Sequence, residues 1–285
     1  MQLFLSILVS AVLGSLNPED VDLSCFSRDA PVLFSMYQEL AKLTDPKEPA
    51  HDPDDISLCK FGPGDRLTVS LVGELVLGDR IGGGCTGDVF LTNNPDFVVK
   101  VSSGAPLTRE QAVLVVANGL SGYAPRMYPI KKIDKPECAN KILVMDKVGD
   151  SDWMSDSSVP LDWTYTRFVQ LLKAVEQLHA IGFAHRDIRT CNVRVDKSDP
   201  RKIFLVDFGI AESILYTADK WPRKLDLDNM VDFLPHEEPA TAAYTEYVEN
   251  LDENVCPNYP ALVGIFDTLA KDPKNEDILE FFSRV

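Results

Sequence analysis

The stretch Leu178-His179-Ala180-Ile181-Gly182-Phe183-Ala184-His185-Arg186-Asp187, followed by Asn192, decides the fold. It marks the passage from a long helix into a polar loop. Phe168, Leu171, Leu172, Val175 and Leu178 recur at the spacing that lines one face of a helix. The loop then carries a carboxylate and an amide five residues apart, close enough to serve one site. Downstream, Ile203-Phe204-Leu205-Val206-Asp207-Phe208-Gly209 reads as an apolar strand that delivers Asp207 to the mouth of that site. Upstream, Gly82-Gly83-Gly84-Cys85-Thr86-Gly87-Asp88-Val89 lies between two strand-like runs, and Lys100 stands among Phe97, Val98, Val99 and Val101. A lysine in an apolar strand needs a partner, because an unpaired buried charge is costly. Between Lys100 and Asp134 the only acid is Glu110. Taken singly, these features have plainer readings: a flexible glycine hairpin, a solvated edge lysine, a carboxylate at the positive end of a helix, a surface Asp-x-Gly turn. Their order and spacing favour a single site.

In that order and spacing the five motifs resemble those of the protein kinases. The strand-to-strand setting of the glycines separates them from a P-loop or a Rossmann turn, both of which need a following helix. The resemblance implies an α+β, two-lobed protein-kinase-like fold with a reduced C-lobe, and ATP and Mg²⁺ as cofactors. It implies that Gly82, Gly84 and Gly87 let backbone N–H groups approach the phosphates and that Val89 packs over the adenine. Lys100, oriented by Glu110, would reach the α- and β-phosphates. Met145, Asp146 and Val148 would stand where the interlobe hinge meets the nucleotide. Asp187 would accept the proton of the acceptor hydroxyl, Arg189 would clamp the γ-phosphate, and Asn192 and Asp207 would hold the metal. His185 and Phe208 are assigned to packing.

Three departures qualify the resemblance. Arg189 stands where serine/threonine kinases usually carry lysine, so that residue does not identify the acceptor. No Ala-Pro-Glu follows Gly209. Instead Asp226-Leu227-Asp228-Asn229-Met230-Val231-Asp232-Phe233-Leu234 reads as the helix that anchors the C-lobe, a shortened pattern shared with the lipopolysaccharide-kinase and RIO-like groups. This leaves the peptide shelf of ordinary protein kinases without its usual support, and Arg186 without the phosphorylated partner it often has in the family. Residues 235–285 leave room for helices at about 240–251, 259–271 and 275–284. The reading is an ATP- and Mg²⁺-dependent phosphotransferase, first a protein Ser/Thr kinase. The alternatives are a small-molecule or sugar kinase and, from another class, a nucleotide-binding pseudokinase scaffold. The pseudokinase is disfavoured because no essential catalytic residue is missing.

Composition fits a globular chain: 285 residues, 45% hydrophobic and 25% charged, with a net charge of −16. That charge repels a phosphate backbone and argues against a nucleic-acid partner. Residues 1–16 form an apolar leader, from Leu3 to Leu13 broken only by Ser6 and Ser10 and too short to span a bilayer. With Val12-x-Gly14 it fits a cleaved secretory signal, giving a mature chain near Ser15 with no stable membrane span and a place in the secretory pathway or outside the cell. The lack of an early Lys or Arg leaves a buried helix and a cytoplasmic location as the alternative. Residues 17–66 read as a helical extension with a Pro/Asp-rich linker, 67–148 as the N-lobe and 149–285 as the C-lobe. Expected strands are 67–72, 74–81, 89–92, 97–101 and 141–145, with a helix over 108–117. The six cysteines do not read as a disulfide framework; only Cys25 and Cys59 suggest a pair.

Overall fold

The computed structural model describes residues 61–84, 87–102, 107, 110–111, 113–114, 122–149, 151–153, 159–196, 198–214, 222–252, 255–275 and 278. The leader, the helical extension with Cys25 and Cys59, and Cys85 and Thr86 lie outside them. In the N-terminal half, β-branched and aromatic runs form β1 (Arg66–Val69), β2 (Gly73–Gly84), β3 (Gly87–Thr92), β4 (Phe97–Val101), β5 (Met127–Tyr128), β6 (Ile130–Ile133) and β7 (Ile142–Asp146). They join in one antiparallel sheet of order β5-β7-β4-β3-β2-β1-β6. Its outermost strands, β5 and β6, are separated in sequence by Pro129 alone, so the sheet curls towards closure.

Period-two alternation then sorts side chains between two faces. Phe90, Val99, Ile142 and Val144 point into the barrel-like core with Phe61, Leu67, Leu75 and Leu77. Their neighbours Val89, Leu91, Val98, Leu143 and Met145 point the other way and merge with the core of the C-terminal half. Lys100 shares that second face because it stands one residue from Val99. The sheet thus presents a lysine toward the junction of the two lobes, by register alone.

The expected strands are all present; the one over 97–101 keeps its ends and the others are shifted. The strand expected over 67–72 ends at Val69, because a turn follows in which Leu71 adopts φ 67° and Gly73 φ 101°. β2 continues past Ile81 through the glycines. Strands β5 and β6 were not anticipated; Arg126-Met127-Tyr128-Pro129 offers too short an alternating run, and Pro129 breaks it. Around the expected helix, residues 107, 110–111 and 113–114 are helical.

The C-terminal half begins with β8 (Ser151–Asp152) and α1 (Leu161–Ala180), whose apolar face is fully buried. Gly182 at φ 92° ends the helix by leaving the right-handed region. Strands β9 (Phe183–Ala184), β10 (Val193–Val195), β11 (Ile203–Leu205) and β12 (Glu212–Ser213) carry the two loops that follow, and β12 pairs antiparallel with β9. Helices α2 (Pro222–Met230), α3 (Pro239–Asn250) and α4 (Tyr259–Lys271) complete the lobe around Phe168, Tyr244 and Phe266. The helix expected over 275–284 lies almost wholly outside the described residues.

The cysteine reading is corrected. Cys138 and Cys256 are disulfide-bonded, while Cys191 is free and exposed. Spacing along the chain did not reveal this, because pairing depends on Cβ positions in the folded state. No helix among the described residues is long and apolar enough to cross a membrane.

Candidate functional site

The two lobes enclose a cavity of about 610 Å³, lined by the glycine hairpin, the sheet face carrying Lys100, the β7 end, and the two loops of the C-terminal half. Gly82, Gly87, Val89, Lys100, Glu110, Met145, Asp146, Val148, Arg189, Asn192 and Asp207 all border it. Gly84 faces Gly87 at the tip of the β2–β3 hairpin. Gly87 has φ 131°, and a Cβ there would lie 2.4 Å from the Val101 carbonyl oxygen, so the hairpin folds this closely only with glycine.

Lys100 is the centre of the site. Its Nζ donates to Glu110 Oε2 at 2.5 Å and to Asp207 Oδ1 at 2.8 Å, although the three residues are separated by up to 107 positions. The Lys100 and Glu110 side chains are only 4% and 2% exposed, whereas Asp207 is 24% exposed and opens to the cavity. Burial alone would lower the lysine pKa, but the flanking carboxylates Glu110 and Asp207 reverse this and raise it, so Lys100 is a firm cation. Burial pushes the Glu110 carboxyl up, opposed by Lys100 and by the Phe208 backbone N–H that donates to it.

The loop after α1 is held from behind. Asp226 of α2 is fully buried and accepts the backbone N–H of His185 through Oδ2 and of Arg186 through Oδ1, each at 2.7 Å. Its Oδ2 also lies 2.9 Å from His179 Nε2, and His179 Nδ1 lies 2.6 Å from the Tyr259 hydroxyl. A neutral His179 satisfies the whole chain: Tyr259 O–H donates to Nδ1, and Nε2–H donates to Asp226. Burial drives the His179 pKa down, against the pull of Asp226. His185 is likewise buried and its pKa lowered. Its Nε2 reaches the Val206 carbonyl at 3.1 Å, its Nδ1 accepts from the Asp187 N–H at 3.3 Å, and its ring packs on Phe208 at 4.9 Å between centroids.

Asp187 therefore emerges from a loop pinned on both sides. Asn192 Nδ2 donates to its carboxylate at 2.8 Å and to its carbonyl at 2.9 Å, and Arg189 pairs with it at 2.9 Å. With the amide nitrogen of Asn192 engaged, its side-chain oxygen Oδ1, touched only by the long Cys191 thiol contact at 3.8 Å, could hold a metal. Asp207 and Arg186 both adopt φ above 60°, a strained conformation for a side-chain-bearing residue and one that collects at functional sites. Arg186, expected to be without the phosphorylated partner it often has in the family, pairs with Glu212.

At the hinge, the Asp146 carboxylate accepts from Arg126 Nε at 2.9 Å and from Tyr128 O–H at 2.7 Å, tying β5 to the end of β7. Gly149 has φ 59°, and a Cβ there would sit 2.5 Å from Arg194 Cβ. Sequence reasoning placed Gly149 in the hinge stretch, His179 in the helix-to-loop passage and Asp226 at the start of the anchoring helix without giving any of them a role, and it missed Tyr259 and Glu212.

Comparison with known proteins agrees with this geometry. The lipopolysaccharide kinase (Kdo/WaaP) family matches residues 152–248. The B1 kinase of vaccinia virus (strain Western Reserve) is 24% identical over 193 residues, covering 59% of this chain and 64% of the viral protein. That of monkeypox virus is 24% identical over 186 residues, covering 57% and 61%. The chain thus spans less than two thirds of these relatives. The solved structure of vaccinia related kinase 3 superposes with a TM-score of 0.56 at 16% identity, covering 78% of this chain and 96% of that one. The fold is that of the solved kinase, with a cavity between the two lobes where the motif residues meet. By these matches the chain is similar to the protein-kinase-like superfamily and shares its fold.

Proposed function

We propose that this chain is an ATP- and Mg²⁺-dependent phosphotransferase that acts on protein serine or threonine hydroxyls. The observation that carries the reading is Lys100 held at once by Glu110 and Asp207, which sets a cation and a partly exposed carboxylate side by side on the cavity wall. The cavity falls in the size range of small-molecule sites. Asp207 and the Asn192 carbonyl fit Mg²⁺, which takes one or two protein oxygens and completes its shell with phosphates and water; bound there, it would neutralise charge on the transferring phosphoryl group. Lys100 would position the α- and β-phosphates, and Met145, Asp146 and Val148, which border the cavity, would meet the base. Asp187 accepts the hydroxyl proton as the acceptor oxygen bonds the γ-phosphorus and ADP departs, with Arg189 countering the charge.

A small-molecule acceptor is the second reading. Only residues 210–221 separate Gly209 from α2, and the matched lipopolysaccharide kinase family supports it. Incubation of the purified chain with γ-labelled ATP, Mg²⁺ and a mixed panel of proteins and hydroxylated metabolites decides between them. Label on protein serine or threonine supports the first reading, label on a metabolite alone supports the second, and no transfer at all contradicts both. A secretory location is part of the proposal: the apolar leader supports it, and so do the disulfides in which Cys138 and Cys256 each take part, which oxidising compartments favour. Mass spectrometry of the native N-terminus tests it; an intact Met1 in a cytosolic fraction would overturn it.

A further inference from the structure

We propose that Glu212 is a positioning residue for phosphoryl transfer, acting through Arg186 to lock the loop of Asp187 to the segment that carries Asp207. This rests on the kinase reading and deepens it. Glu212 lies five residues beyond Asp207, on β12, and Arg186 directly precedes Asp187. Their ion pair therefore ties the chain that delivers the metal carboxylate to the chain that delivers the base. The tie has a backbone counterpart, since β12 pairs with β9, with Glu212 opposite Ala184 and Ser213 opposite Phe183.

Arg186 needs such a tie. Its φ of 67° is unfavourable for an arginine and persists only where surroundings enforce it. Asp226 fixes its backbone N–H. Glu212 pairs with the guanidinium and so adds a constraint on the side chain. Both side chains are about one-third exposed, at 32% and 34%, so the pair is partly screened and acts as a positional latch more than as a source of stability. Because the countercharge belongs to the chain itself, the latch needs no added phosphate. Small errors in placing a base carry large rate penalties, which makes the latch catalytically visible.

Glu212→Gln keeps shape and removes charge. The expected result is a fall in kcat of roughly 10- to 100-fold with KM for ATP within about twofold, since the lost interaction orders the base rather than the nucleotide. Amide hydrogen exchange across residues 183–192 should quicken while the barrel strands keep their protection. The charge-exchanged double variant, Glu212→Arg with Arg186→Glu, should recover protection in that loop, which a merely structural role for either residue would not produce. Unchanged kcat and unchanged loop exchange in Glu212→Gln would overturn the proposal, as would uniform loss of protection throughout the chain. If the wild-type chain transfers no phosphate, the kinase reading fails, and the exchange measurement still decides the role of Glu212.

Discussion

The buried carboxylate of Asp226 accepts the backbone N–H of His185 at 2.7 Å across 41 residues of chain. This bond fixes the entry of the loop that carries Asp187. The same carboxylate also serves the Arg186 N–H and His179, so one side chain satisfies three donors in a fully buried place. Replacing Asp226 by alanine should leave those donors unsatisfied, with a stability loss of about 2–4 kcal/mol and a large fall in turnover. Denaturant unfolding and steady-state rates check both. Near-native stability of Asp226→Ala would show that the loop is ordered by other contacts.

The neutral state of His179 gives a pH dependence with a defined sign. Asp226 and Tyr259 touch its ring, and Arg223 adds a like charge that disfavours protonation. A folded-state pKa below the ordinary 6.5 means that this stabilisation is present above pH 6.5 and is lost as pH falls through the folded value. Melting temperature should therefore drop on acidification below about pH 6.5. His179→Gln should show a shallower drop than wild type in the same window; an identical acid profile would contradict the assignment.

Much of this arrangement was legible in the sequence, and the reason is local. Lys100 and Glu110 were joined by elimination, because no other acid lies between Lys100 and Asp134, and the structure puts them 2.5 Å apart. The helix expected at about 259–271 is found over Tyr259–Lys271. Residues whose importance depends on long-range packing were not legible. Tyr259 reads as one more apolar helix residue until the fold sets it against His179, 80 positions away. Glu212 reads as a surface acid until β12 pairs with β9. The disulfides of Cys138 and Cys256 belong to the same class, since nothing in their spacing announces them.

Gly149 is where the hinge runs against β10. Gly149→Ala would place a methyl group 2.5 Å from Arg194 Cβ and 2.9 Å from the Val195 carbonyl oxygen, at a φ of 59°. A loss of roughly 1–3 kcal/mol is expected, with weaker nucleotide binding as the hinge shifts. Gly122→Ala, at φ 95° with nothing within 4 Å, carries only the conformational penalty and should cost less. Comparison of the two by thermal unfolding tests the argument; equal losses would mean that the close approach to β10 is relieved without strain.

Lys100→Met removes the cation from between two carboxylates and leaves Glu110 buried beside Asp207 without its partner. Transfer and ATP affinity should both fall, and Glu110→Gln in the same background should restore part of the lost stability by removing the uncompensated charge. Isothermal titration with ATP and a melting curve for each variant check this. A double variant no more stable than Lys100→Met would argue that Glu110 is already neutralised by its other contacts.

The central claim is that Asp187 is the base of a phosphotransferase whose nucleotide site is built separately around Lys100 and Asp207. Its most direct test is the single-turnover rate of Asp187→Asn with Mg²⁺-ATP and an accepted hydroxyl substrate, measured alongside ATP affinity. A general base contributes typically about 10²–10⁴-fold, so the account predicts a loss of that order with ATP binding preserved. Transfer at close to the wild-type rate by Asp187→Asn would contradict it.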